Sequence, residues 1–114
     1  MKHQMRLNSE PFELIKNGKK TIELRLYDEK RKAVSVGDEI EFIHFADSRR
    51  TITAEVVALH VFSDFSMLYK ALPLLKCGYT KENISSASHK DMDKYYPREE
   101  QERFGVIGIE IKLI

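Results

Sequence analysis

From Thr21 to Leu26 the side chains alternate, with Ile22, Leu24 and Leu26 on one side and Thr21, Glu23 and Arg25 on the other. A period of two sends successive side chains to opposite faces, so this stretch reads as a half-buried strand with one apolar and one polar face. A helical stretch stands directly before it. Asn8-Ser9-Glu10-Pro11 carries a capping side chain, an acid and an early proline, and Phe12 and Ile15 share one helical face. Asn17-Gly18 ends that helix, because glycine tolerates the left-handed conformation at a C-terminal cap. A helix stop set so close to a strand start constrains the chain path more than any other feature of the sequence.

The remaining periodicities fill in a domain around it. Met5 to Leu7 reads as a short opening strand. Val36-Gly37-Asp38 is a turn into a strand where Ile40 and Phe42 alternate with acids, Asp47-Ser48 is a second turn, and Thr51 to Phe62 is rich in β-formers. Ser63 is placed to cap a helix bearing Phe65, Leu68 and Leu72. Ser88-His89-Lys90-Asp91 starts a further helix bearing Met92, Tyr95 and Tyr96 and ending near Pro97, and Phe104 to Ile114 is a closing strand. Phe12, Phe42, Phe45, Phe62 and Phe65 are expected in the core, and one of Tyr95 and Tyr96 is a candidate cleft wall.

The order strand, helix, several strands, helices, strand is not the alternation of a doubly wound sheet. Short turns between strands favour antiparallel pairing, and a closed or curved sheet covers its edges. The expected fold class is therefore α+β: a small, mostly antiparallel β-barrel with helices packed at one opening, supplied by Ser63 to Glu102. With 114 residues and neither repeats nor a linker, residues 1–114 are expected to form one domain.

Composition narrows the functional classes. Cys77 is the only cysteine, so no intrachain disulfide forms, which suits a reducing compartment. No apolar run follows the basic start, and none approaches the roughly 18 residues of a membrane span; the expectation is a cytoplasmic protein with no membrane partner. The net charge of +1 says little, but its distribution says more. Cations prevail between Lys16 and Lys32 and acids between Lys81 and Glu102, so Lys30-Arg31-Lys32 reads either as a phosphate-contacting loop or as a solvated turn. His3, His44, His60 and His89 are scattered away from metal-ligand spacing, so no metal or cofactor is expected, and Cys77 reads as a buried structural thiol.

Chemistry is concentrated in Gly18-Lys19-Lys20-Thr21-Ile22-Glu23-Leu24-Arg25. Glu23 and Arg25 lie about 7 Å apart on one strand face, within reach of each other. A surface ion pair worth about 1 kcal/mol or less explains that pattern as well as a site does. Strict alternation places Lys20 on the opposite side, so admitting it to a common site requires a bend between Gly18 and Thr21.

The pattern Gly18, Lys20, Glu23, Arg25 (G-x-K-x-x-E-x-R) resembles the signature of the ASCH family, whose domains have a PUA-like β-barrel. Pro11-Phe12 with Ile15, Val36-Gly37-Asp38-Glu39-Ile40, and Tyr95-Tyr96 with Phe104-Gly105-Val106-Ile107 resemble its flanking helix, turn and closing segment. The resemblance implies a cleft beside the barrel into which the signature side chains project, and an association with RNA. It also implies a second activity, since some bacterial members hydrolyse the amide of acetylated cytidine with a lysine, a threonine and a glutamate. Their lysine matches Lys20. Their threonine falls where this chain has Glu23, and Glu82 is the nearest counterpart of their glutamate.

Two readings follow from the resemblance, with a third beside them. In the first, Lys19, Lys20, Thr21 and Arg25 bind RNA or a modified nucleoside without chemistry. In the second, Lys20, Glu23 and Glu82 are catalytic in a small amidohydrolase, with Glu23 as base on water in place of a threonine nucleophile. The third is a regulatory domain for a small metabolite or a protein. The oligomeric state is left open by the sequence.

Overall fold

The computed structural model describes every residue from Met1 to Ile114. The first half runs β1 (Lys2–Leu7), α1 (Ser9–Lys16), β2 (Ile22–Leu26), α2 (Glu29–Lys32), β3 (Glu39–His44) and β4 (Thr51–Phe62). Then follow α3 (Phe65–Ala71), 3-10 turns at Leu74–Lys76, Ile84–Ser86 and His89–Lys94, α4 (Arg98–Phe104) and β5 (Val106–Leu113). The strands make one five-stranded sheet in the order β1-β3-β4-β5-β2. Only β1 and β3 pair in parallel; the other neighbours are antiparallel. The sheet curls into a half-barrel, giving the expected α+β, PUA-like architecture.

The half-barrel has an open seam. Its two edges, β1 and β2, share no backbone ladder, although α1 links them in sequence. Phe12 and Ile15 of α1 are buried with Met5, Leu7, Phe42 and Ile109 in the barrel core. A second core lies on the opposite side of β2, where Ile22, Leu24 and Leu26 pack against Phe65, Leu68 and Met92. β2 is thus covered on both faces. This departs from the half-buried strand expected from its alternation.

Other expectations are corrected locally. Asp64, not Ser63, caps α3, its carboxylate accepting from Met67 N at 2.9 Å. Ser88 does begin a helical turn, with a full capping box, but the turn is a 3-10 helix ending before Tyr95. Phe104 closes α4 instead of opening the last strand, and α2 and α4 occupy stretches where no helix was expected. Both are short and strongly charged, so neither shows an apolar stripe. Phe45, expected in the core, is 67% exposed just beyond β3.

Gly105 joins α4 to β5 at φ 74° and ψ −171°, a conformation open essentially to glycine alone. A Cβ there would stand 3.0 Å from the Phe62 carbonyl oxygen, a backbone atom that cannot swing away. At Gly108 the nearest atom to an added Cβ, at 2.7 Å, is the mobile Cδ1 of Leu72. Gly105→Ala is expected to cost about 3 kcal/mol and Gly108→Ala about 1 kcal/mol, read from urea unfolding midpoints. Equal losses would show that crowding, not backbone conformation, governs both positions.

Candidate functional site

The site begins at the end of α1. Gly18 turns the chain at φ 80°, and the N–H groups of Lys19 and Lys20 both donate to the Leu14 carbonyl, at 2.9 and 3.0 Å. Thr21 N donates to the Lys76 carbonyl at 2.9 Å, so the strand becomes regular only from Ile22. This is the bend that Lys20 needs in order to meet Glu23. Lys20 Nζ lies 2.7 Å from Glu23 Oε1. The turn after Cys77 backs the lysine: a Cβ on Gly78 would stand 3.4 Å from Lys20 Cδ.

Arg25 takes the other oxygen. Its Nε donates to Glu23 Oε2 at 2.7 Å, and its Nη2 donates to the Arg6 carbonyl of β1 at 2.8 Å. The guanidinium therefore reaches across the seam, joining the two edges of the sheet through a side chain. Glu23 is only 3% exposed. Burial alone would push its carboxyl up, but the charges and hydrogen bonds of Lys20 and Arg25 outweigh that and hold it at about 2. Glu23 is thus a fully ionised carboxylate at neutral pH with one cation on each oxygen.

These three side chains line a cavity of about 560 Å³ at the seam. Arg6, Leu7 and Asn8 border it on the β1 side, and Leu14 on the α1 side. The roof comes from α3 and the turns after it, which place Tyr69, Tyr79, Asp91, Tyr95 and Tyr96 on the lining. Tyr79 Oη donates to Asp91 Oδ2 at 2.7 Å, and Tyr69 Oη lies 2.7 Å from Tyr79 Oη. Burial first, then the bonds to Tyr69 and Asp91, push the Tyr79 phenol up, so it stays protonated. Cys77 also lines the cavity, and burial pushes its thiol up to about 11, which keeps it un-ionised and weakly nucleophilic.

Of the residues proposed from sequence, Lys20, Glu23 and Arg25 come together here, while Lys19, Thr21 and Glu82 are not on the lining. Glu82 is exposed in the roof loop. Its own N–H, the Thr80 side chain and the Lys19 charge hold its carboxyl below the usual range. In α2, Arg31 pairs with Asp28 at 3.1 Å and Lys32 with Glu29 at 3.6 Å, leaving Lys30 unpaired. No group of three or more His, Cys, Asp or Glu side chains is arranged to hold a metal ion. Sequence reasoning missed Tyr69, Tyr79 and Asp91. Only Asp91 left a trace, as the acid three residues after Ser88 in a capping box, and that pattern signals a helix start alone.

A curled half-barrel with a polar cleft beside its seam, roofed by short helices, defines the PUA-like class. The chain belongs to the ASCH domain family, whose match covers residues 5–114. It is similar over its whole length to the hypothetical protein PH0355, with 34% identity, full coverage of both chains and a TM-score of 0.80. It is also similar to protein PF0455 of Pyrococcus furiosus, at 31% identity and a TM-score of 0.76, covering 100% of this chain and 98% of that one. The ASCH protein of Zymomonas mobilis shares the fold at 15% identity and a TM-score of 0.66, over 96% of this chain and 65% of the other. No curated protein matches the chain. No helix is long and apolar enough to cross a membrane.

The ion pairs make a pH prediction whose sign is fixed. The Glu23 carboxyl lies below its ordinary value of 4.5 in the folded chain, so its stabilisation is complete above that pH and is lost as the pH falls towards about 2. Glu23→Gln leaves two cations without their anion and is expected to cost about 3 kcal/mol at pH 7. The gap between wild type and variant in urea midpoint should narrow on acidification below pH ~4.5. A gap that stays constant down to pH ~2 would mean that Glu23 is not held ionised by its neighbours.

Proposed function

We propose that the cleft binds a nucleobase-containing ligand, an RNA nucleotide or a modified nucleoside, without making or breaking a covalent bond. The observation that carries this reading is the double pairing of Glu23, buried on the cleft floor and bonded to Lys20 and Arg25. A general base works best with a pKa near the working pH, and a carboxylate held at about 2 is a weak one. The same pairing leaves binding capacity. Lys20 has three N–H donors and spends one on Glu23, so the others are free for a carbonyl or phosphate oxygen.

The volume of about 560 Å³ falls in the range of small-ligand sites, and its lining mixes aromatic faces with a few polar groups. Tyr69, Tyr79 and Tyr96, each half-buried, offer surfaces against which a planar base packs. The amidohydrolase reading counts Glu82, which stands outside the cavity, among its catalytic groups, and it asks Glu23 to activate water while both of its oxygens are paired with cations. Membership of the ASCH family supports a nucleic-acid or nucleoside ligand over an unrelated metabolite.

The test is a panel of ribonucleosides, modified nucleosides and ribonucleotides, followed by thermal shift and by mass spectrometry. At least one is expected to raise Tm and to be recovered unchanged. Lys20→Met, which keeps the packing stem, is expected to weaken that ligand by about tenfold or more, the loss of a charge-assisted hydrogen bond. Glu82→Ala is expected to have no effect. Deacetylation of acetylcytidine that disappears in Lys20→Met and Glu23→Gln proteins would replace binding with hydrolysis. Stabilisation by a ligand lacking a base would point to the metabolite class instead.

A further inference from the structure

Of the chain's six phenylalanines and five tyrosines, only Phe45 and Tyr95 are among the exposed large side chains, at 67% and 54% exposure. Every other aromatic ring is buried or half-buried. An isolated exposed apolar residue needs no explanation, but these two border the same cavity. They approach it from different elements. Phe45 stands just past β3, its N–H donating to the Leu7 carbonyl at 2.8 Å, which fixes it on the barrel side. Tyr95 follows the 3-10 turn His89–Lys94, its N–H donating to the Met92 carbonyl at 3.1 Å, which fixes it on the roof.

Two exposed cations border the same cavity. Arg6 borders the cavity beside Leu7, and Lys94 borders it with its Nζ 5.1 Å from the Tyr95 ring centre. Neither cation takes part in an ion pair, whereas Lys20, Arg25, Arg31, Lys32, Arg49, Arg50 and Arg98 do. On the floor, by contrast, the charges are used internally around Glu23. A ligand confined to the floor would gain nothing from two rings held in water at the mouth. One that continues out of the cleft on both sides would stack on them.

We propose that the cleft takes one nucleotide from within a single-stranded RNA, whose neighbouring bases stack on Phe45 and Tyr95 while the flanking phosphates meet Arg6 and Lys94. Aromatic faces accept any base, and unpaired cations between them follow the sugar–phosphate backbone. A free nucleoside occupies the floor only and leaves the rim unused. A duplex presents neither a free base for the floor nor free ring faces for the rim. This inference rests on the reading of the cleft as a nucleotide site, and names the polymer as its ligand.

The test compares a fluorescein-labelled, mixed-sequence single-stranded RNA heptamer with the four ribonucleoside 5′-monophosphates, using the full chain and fluorescence anisotropy or thermal shift. The heptamer is expected to bind at least about a hundredfold more tightly than any monophosphate, with two stacked bases each worth about tenfold. Phe45→Ala and Tyr95→Ala should each weaken the heptamer by about tenfold and leave the monophosphates unchanged. Arg6→Gln and Lys94→Gln should each flatten the log–log salt dependence by about 0.7. Equal affinity for heptamer and monophosphate, undiminished binding in both aromatic variants, or equal binding of duplex RNA would overturn the inference while leaving the nucleotide site standing. Failure of every nucleotide probe to bind wild-type protein would overturn both.

Discussion

A buried carboxylate with a cation on each oxygen holds the two halves of this molecule in register. The sheet curls but does not close, because β1 and β2 are both edges and no ladder runs between them. Arg25 spans that gap to the Arg6 carbonyl, and it is held for the task by Glu23, which Lys20 also grips from the turn after α1. One interaction therefore closes the barrel side to side, fixes the exit of α1 and builds the cleft floor. Removing an ion from water costs several kcal/mol, and only near-ideal partners return that cost. Contacts at 2.7 Å on both oxygens meet the condition.

For closure alone, apolar side chains would serve as well or better, since buried ion pairs are often matched by hydrophobic substitutes of similar volume. What a greasy seam lacks is donors facing a cavity. Lys20 and Arg25 each keep N–H groups that Glu23 and Arg6 do not use. The charged closure is thus the version of this fold in which the side chains that bridge the seam also line the cavity with unused donors.

Much of this was legible in the residues. The alternation from Thr21 to Leu26 and the glycine stop at Gly18 located the floor, and the β-rich run from Thr51 to Phe62 forms the long β4 strand. Strict alternation also put Lys20 on the wrong side, and the contradiction itself called for the bend at Gly18. The burial of Glu23 was not legible, because period two distinguishes faces and cannot say whether the polar one meets water or a roof. Phe45 was misplaced for a similar reason: it follows Ile43 and His44 in an apolar run, but the strand ends at His44 and the pattern no longer applies. The roof was read least well. Among its 3-10 turns and α4, only the His89–Lys94 turn has a side-chain cap, and 3-10 turns of three to six residues and a short charged helix leave no periodic trace.

The roof nonetheless has a definite polarity, which follows from counting protons. Asp91 is held below its usual range, first by the Tyr79 hydroxyl and then by Ser88 N–H, so it is an ionised acceptor. Tyr79 has one hydroxyl proton and gives it to Asp91. The bond between the two tyrosines must then be donated by Tyr69, whose only proton is spent in turn. Tyr69 is left with an oxygen that accepts and cannot donate. The floor presents ammonium and guanidinium N–H groups, which donate and cannot accept. An acceptor edge towards β2 and a donor edge towards α3 would satisfy both surfaces, and the nucleobase proposed for the cleft carries such a pair in its carbonyl and amino groups.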